Sequence, residues 1–189
     1  VTLGDVTVNE GDGTATIEVQ RLGALTESVT VDYASSDGTA VAGSDYTAVS
    51  GTLTFGAGQT TKTFTVNIAN DTLDELDETA VLTLSNPVNL TNPSNGAELG
   101  APDTSVLTIT DDDDPPAVQF SAATYTADEG DTAVTIDVTL DVPSGLPVTV
   151  DYTTADDTAP AGSAYTATSG TLTFTPGQTR RSFSVPILE

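Results

Sequence analysis

The chain repeats itself. Val31-Asp32-Tyr33 returns as Val150-Asp151-Tyr152, and Ser50-Gly51-Thr52-Leu53-Thr54-Phe55 returns as Ser169-Gly170-Thr171-Leu172-Thr173-Phe174, both at a spacing of 119 residues. Aligned without gaps at that spacing, residues 10–70 and 129–189 agree at 32 of 61 positions. Whatever one copy folds into, the other must fold into as well. The apolar period inside each copy is two. Ala15, Ile17 and Val19 alternate with polar neighbours, as do Val29, Val31 and Tyr33, Leu53 and Phe55, and Phe64, Val66 and Ile68. Such runs are half-buried antiparallel strands, and abundant Thr and Val suit them. Gly and Asp punctuate the runs at Gly11-Asp12-Gly13, Asp37-Gly38 and Gly56-Ala57-Gly58.

The first copy reads as seven strands, over about 1–9, 14–22, 27–35, 46–55, 61–69, 78–85 and 105–111. That number of short strands in one copy predicts an all-β fold, an Ig-like antiparallel sandwich. The copy closes on Asp111-Asp112-Asp113-Asp114, and Pro115-Pro116 follows. Two prolines predict a stiff, extended connection. The expected organisation is therefore a module over 1–114, a linker at 115–116 and a second module over 117–189. Nothing in the second copy matches residues 71–114 of the first, so it is predicted to lack its last two strands. Either the chain continues past Glu189, or strands from another molecule complete the sandwich by self-association.

Composition narrows the chemistry. Four basic residues stand against 28 acidic ones, a net charge of −24, which excludes a nucleic-acid partner. There is no Cys and no His, so Ser-His-Asp and Cys-His catalysis and His-ligated zinc are excluded. No catalytic constellation remains, and an enzyme is not expected. A bound metal would be held by oxygen, which favours calcium over magnesium or manganese. No run of 18 apolar residues occurs and no signal-peptide pattern opens the chain, so no direct membrane insertion is expected. The opening Val1 suggests a mature or excised piece of something longer. Other signals are bland. Asp32 and Asp151 are outward strand positions in separate modules and make a poor glycosidase pair. Tyr46 and Tyr165 read as packing residues, and Arg180 and Arg181 as a solvated strand start. Asn70-Asp71-Thr72 and Asn89-Leu90-Thr91 match the glycosylation sequon, a pattern that recurs by chance.

The segment from Asp37 to Tyr46, Asp-Gly-Thr-Ala-Val-Ala-Gly-Ser-Asp-Tyr, is followed by Gly51-Thr52-Leu53-Thr54-Phe55. Together they resemble the signature of the Calx-beta domain family. So do Asn70-Asp71 with Asp74-Glu75 and Asp77-Glu78, and the closing Ile109-Thr110-Asp111-Asp112-Asp113. The resemblance covers the whole first copy and all that exists of the second. The family is known from the cytosolic calcium-sensing loop of sodium–calcium exchangers, and from extracellular proteins including bacterial surface adhesins. In its calcium-binding members the ions sit at one pole of the sandwich. Mapped here, the resemblance implies Glu10, Asp45, Asp71, Glu75, Asp111, Asp112 and Asp113 as ligands, with the backbone carbonyl of Leu73. Asn70 stands where such members often carry Asp; its amide oxygen still ligates, with less charge. Seven carboxylates exceed the need of one ion, so two or more calcium ions are expected. The competing reading is that Asp-rich turns are solvated loop punctuation. In the second copy Glu129 matches Glu10, but Ala164 stands where Asp45 does, and no complete site is expected.

Tandem modules, a stiff junction, strong acidity and no catalytic set lead to one functional expectation. The chain would be a calcium-stiffened adhesive segment of a secreted or cell-surface protein, meeting some other protein or surface ligand. The alternative is a regulatory calcium-sensor pair attached to a membrane transporter.

Overall fold

The computed structural model describes residues 1–188. The chain forms two compact units, one of Val1–Thr72 with Leu76–Asp112, the other of Leu73–Glu75 with the chain from Asp113 onward. Apart from two single 3-10 turns the regular structure is all strand, and no helix among the described residues is long and apolar enough to cross a membrane.

The first unit holds β1 (Thr2–Leu3), β2 (Val6–Asn9), β3 (Thr14–Gln20), β4 (Val29–Asp37), β5 (Ser50–Phe55), β6 (Thr61–Asn67), β7 (Glu78–Asn89) and β8 (Thr104–Thr110). They make two sheets, ordered β1-β3-β6 and β2-β8-β7-β4-β5. The inward residues follow the period-two pattern. Ile17, Val19 and Val66 from one sheet meet Val31, Phe55, Leu82, Leu84 and Leu107 from the other, all fully buried. Each such side chain contributes about 1.5–3 kcal/mol by leaving water.

The expected strand over 1–9 is two strands. The chain breaks at Gly4-Asp5, where Ser105 Oγ donates to the Gly4 carbonyl at 2.6 Å and Val106 N–H donates to Asp5 Oδ1 at 2.9 Å. β1 thereby joins one sheet and β2 crosses to the other, a sheet switch at a bend. β2 then pairs with β8 in parallel, Val6 opposite Leu107 and Asn9 opposite Thr110, a departure from the wholly antiparallel expectation. The expected strand over 46–55 begins only at Ser50. Tyr46 instead closes a loop: its hydroxyl and the Ala42 N–H both donate to Asp37 Oδ1, at 2.8 and 2.9 Å.

One repeated pair explains two repeated motifs. Tyr33 lies opposite Gly51 across the β4–β5 ladder and stacks on Phe64 with ring centroids 4.0 Å apart. A Cβ on Gly51 would sit 2.7 Å from the Tyr33 hydroxyl, so only glycine leaves room for the ring. In the second unit Tyr152 lies over Gly170 and stacks on Phe183 at 3.9 Å.

The second unit holds β9 (Val118–Phe120), β10 (Ala133–Leu140), β11 (Val148–Thr153), β12 (Ser169–Phe174) and β13 (Arg180–Pro186), in sheets ordered β13-β10-β9 and β11-β12. Its buried cluster is small: Val138, Leu140 and Phe174, with Val148, Val150, Leu172 and Phe183 half-buried around them. The segment Leu73–Glu75 packs in this unit. Gly145 N–H donates to the Asp74 carbonyl at 3.1 Å, and the buried Ser144 hydroxyl donates to Asp74 Oδ2 at 3.1 Å. Arg180 opens β13 as an exposed residue and grips Asp137 with two hydrogen bonds, at 3.2 and 2.6 Å.

Candidate metal centre

Because β2 and β8 run parallel and in register to their last pair, Asn9 opposite Thr110, the next residues leave the sheet side by side. Those residues are Glu10 and Asp111. Glu10 opens the 3-10 turn Glu10–Asp12, which Asn9 and Asp12 cap reciprocally and Gly13 ends at φ 71°. The turn buries the Glu10 side chain. Asp111 is held by its own N–H, which donates to Asp77 Oδ1 at 3.2 Å.

One carboxylate oxygen from each of Glu10, Asp111 and Asp113 lies within 4.8 Å of the other two. Two oxygens on one calcium, each about 2.4 Å from the ion, can be at most about 4.8 Å apart, so this group fits a single ion. Glu10 Oε1, Asp111 Oδ1 and Asp113 Oδ2 are buried, and no donor lies within hydrogen-bond distance of Asp111 Oδ1. A buried charged oxygen without a donor costs free energy that a cation would offset. The donor set is all carboxylate, which suits a hard cation.

Two further predicted residues gather next to Glu10. At Gly11 a Cβ would meet Asp112 Oδ2 at 2.6 Å and Asn70 Oδ1 at 3.4 Å, so both side chains converge on the bare glycine backbone. Asp45 reaches the same segment through its backbone. Its carbonyl accepts from Ala69 N–H at 2.9 Å, while its Oδ2 accepts from Val41 N–H at 2.6 Å. Asp71 is exposed one residue past Asn70. Glu75 is not in the three-carboxylate group. Gly11 and Asp77 were not singled out as site residues from sequence. Asp77 was visible only as the last Asp of the Asp-rich turn, and nothing marked Gly11 beyond its place in a turn.

The second unit offers less. Glu129, the counterpart of Glu10, is exposed, and Ala164 brings a methyl where Asp45 brings a carboxylate. Among the described residues Glu10, Asp111 and Asp113 form the one group of this kind. Two other acids are held structurally. Asp32 accepts from Thr52 Oγ1 at 2.6 Å and Asn86 Nδ2 at 3.1 Å, and these bonds lower its pKa. Hydrogen bonding from Arg180, with its charge, lowers that of Asp137. The Asn89 sequon is also accounted for. That side chain is buried, donates to Glu27, and accepts from Thr91 and Asn92 N–H.

The family model of the Calx-beta domain matches residues 2–113 and 111–189. The chain is 33% identical over 193 residues to sodium/calcium exchanger 1 of Bos taurus, covering 95% of this chain and 20% of the exchanger. It is 29% identical over 186 residues to the sodium/calcium exchanger Calx of Drosophila melanogaster, covering 98% of this chain and 19% of that protein. The chain thus spans about a fifth of the length of these curated relatives. Among solved structures, the calcium binding domain CBD12 of CALX1.1 superposes with a TM-score of 0.55 at 28% identity, over 100% of this chain and 75% of that one. The apo-form Calx CBD1 domain does so with a TM-score of 0.54 at 32% identity, over 59% of this chain and 97% of that one. The relatives are transporters and the first of these structures is a calcium-binding domain; neither is an adhesin. These matches overturn the expectation of an adhesive repeat and, with it, the secreted or cell-surface placement. They favour the transporter-linked alternative.

Proposed function

Because the chain belongs to the Calx-beta domain family, we propose that it is a calcium-binding regulatory segment of a transporter resembling the sodium–calcium exchangers, placed on the cytosolic side as their sensing loop is. The observation that carries this reading is the group Glu10, Asp111 and Asp113, with carboxylate oxygens within 4.8 Å, in a chain of which 95% aligns with an exchanger. Calcium bound there supplies positive charge that offsets the mutual repulsion of the carboxylates.

The protein's part is to present oxygens and to respond. Glu10 and Asp111 are fixed at the ends of paired strands and form the rigid side of the site. Asp112 and Asp113 lie on the acidic run beyond β8, outside any strand, and form the adjustable side. Like charges spread that run when no cation is near and draw it onto the pole when one is, which gives the chain two arrangements for a ligand to select between. Asn70 and Asp112 converge at Gly11, next to Glu10, which supports a second ion; Asn70 makes that ion the weaker one. The second module takes no ion through Glu129 and Ala164.

Calorimetric titration with calcium, paired with small-angle scattering, tests the sensor reading. Micromolar or tighter binding, within the roughly 10⁻⁷–10⁻⁵ M range of sensors, with a change in scattering profile is the expected result. Binding a hundredfold weaker, with no change of shape, refutes it.

A further inference from the structure

The loop that follows β7 is tied down through one carboxylate. Glu27 is half-buried just before β4, and each of its oxygens accepts from a side-chain amide. Asn89, the buried last residue of β7, donates to one oxygen, and Asn95 Nδ2 donates to the other at 3.1 Å. Asn95 ends the 3-10 turn Pro93–Asn95 as an exposed residue, and Gly96 follows it. Of the seven asparagines in the chain, Asn95 is the one followed by glycine. Asn86 and Asn92 precede proline, whose nitrogen carries no proton. Asn89 is 3% exposed. Asn9, Asn67 and Asn70 precede Glu10, Ile68 and Asp71, whose side chains crowd the next nitrogen. Nothing stands within 4 Å of the place a Cβ on Gly96 would take. The Gly96 N–H reaches the Pro93 carbonyl only at 3.4 Å, longer than an ordinary hydrogen bond. The nitrogen beside the Asn95 carboxamide is therefore unhindered and loosely held.

We propose that Asn95 is a deamidation site, and that its product unlocks the loop that Glu27 holds. The Gly96 nitrogen gives its proton to solvent and attacks Asn95 Cγ. The N–Cγ bond forms, the Cγ–Nδ2 bond breaks, and Nδ2 takes a proton from water and leaves as ammonia. Water then opens the five-membered imide at either carbonyl, which leaves aspartate or isoaspartate at position 95. One water is consumed and one ammonia released, with no oxidation or reduction. The bond to Glu27 anchors the carboxamide, so the reaction draws on moments when that bond is open. The product reverses the contact. A carboxylate replaces an amide donor that stood 3.1 Å from Glu27 Oε1, and two like charges so close repel. The tie through Asn95 is lost, while Ser28 N–H keeps its bond to Thr91 Oγ1 at 2.8 Å.

The test ages the whole chain in neutral buffer and locates lost amides by peptide mass analysis that separates aspartate from isoaspartate. Loss should accumulate at Asn95 ahead of every other asparagine, with isoaspartate among the products as the mark of ring closure. Asn95→Gln should abolish it, because the longer side chain closes the ring poorly. Asn95→Asp supplies one product directly and should lower the melting midpoint of the first unit in chelator by about 2–6 °C. In a Glu27→Gln background an amide again faces the new carboxylate, so the same substitution should cost little. Any of these results overturns the proposal: amide loss no faster at Asn95 than elsewhere, loss without isoaspartate, a midpoint unmoved by Asn95→Asp, or an equal drop in the Glu27→Gln background.

Discussion

Replacing Gly11 by alanine should cost calcium affinity and almost nothing else. The backbone there lies outside the left-handed region, so alanine adopts it without strain. Its Cβ would stand 2.6 Å from Asp112 Oδ2, whereas ordinary contact begins at 3.4 Å, so the oxygen must retreat by about 0.8 Å. Calcium–oxygen bonds span only about 2.3–2.6 Å, and a shift of that size removes the oxygen from the shell. Disturbing the support of a metal ligand typically costs 10–100-fold in affinity, about 1.4–2.8 kcal/mol. Without calcium the substitution is cheap, because Asp112 is an exposed side chain that can swing away. Alanine also restricts the unfolded chain, which favours the folded state by about 0.4–1 kcal/mol. Calorimetric titration should therefore show affinity down 10–100-fold, and thermal melting in chelator should show a midpoint unchanged or slightly raised. Parental affinity would refute the convergence of Asp112 on the metal pole. An equal loss of stability in chelator and in calcium would show that Gly11 serves the fold and not the ion.

Asp111→Asn or Glu10→Gln should lower calcium affinity by at least about tenfold and raise the melting midpoint in chelator by relieving repulsion, whereas Asp12→Ala should leave affinity alone and cost about 0.5–1 kcal/mol through its lost turn cap. Calcium at about a hundred times its dissociation constant should stabilise the first unit by about 2.7 kcal/mol, read as a calcium-dependent shift in its thermal unfolding; an indifferent melt would end the metal-site reading. Arg180 holds the Asp137 carboxyl below the ordinary range. A depressed carboxylate pKa adds stability that is present above the unfolded value, near 4, and is lost as pH falls through the folded value. Arg180→Ala should move the Asp137 titration, followed by NMR, back up toward 4; an unmoved titration would refute the pairing.

The strands were legible because one face of each is buried, which forces the period of two, and because the repeat shows each pattern twice. The Tyr33–Gly51 pairing was visible as co-repeated motifs, though not its cause, since ring-over-glycine packing leaves no periodic trace. The parallel β2–β8 pair was not legible: Val6 finds Leu107 across some hundred residues, and no local propensity encodes so distant a partner. Glu10 and Asp111 were named as candidates only through the family resemblance. A single Glu after a strand looks like any solvated turn residue. The packing of Leu73–Glu75 through the Asp74–Ser144 bridge was not legible either. A hydroxyl 70 residues away sends no signal to the turn that meets it.

The β2–β8 ladder also dictates a schedule. A ribosome delivers Val6–Asn9 early, but that strand has no place in its sheet until Thr104–Thr110 has emerged. The nascent first module must wait, nearly whole, for its final strand, and such long-range closure is slow. The last rung of that ladder sets Glu10 beside Asp111, so the same event that shuts the sandwich brings the candidate carboxylates together. Calcium that binds through that pair would therefore neither guide the early chain nor rescue one that stalls; it would only hold shut what has already closed.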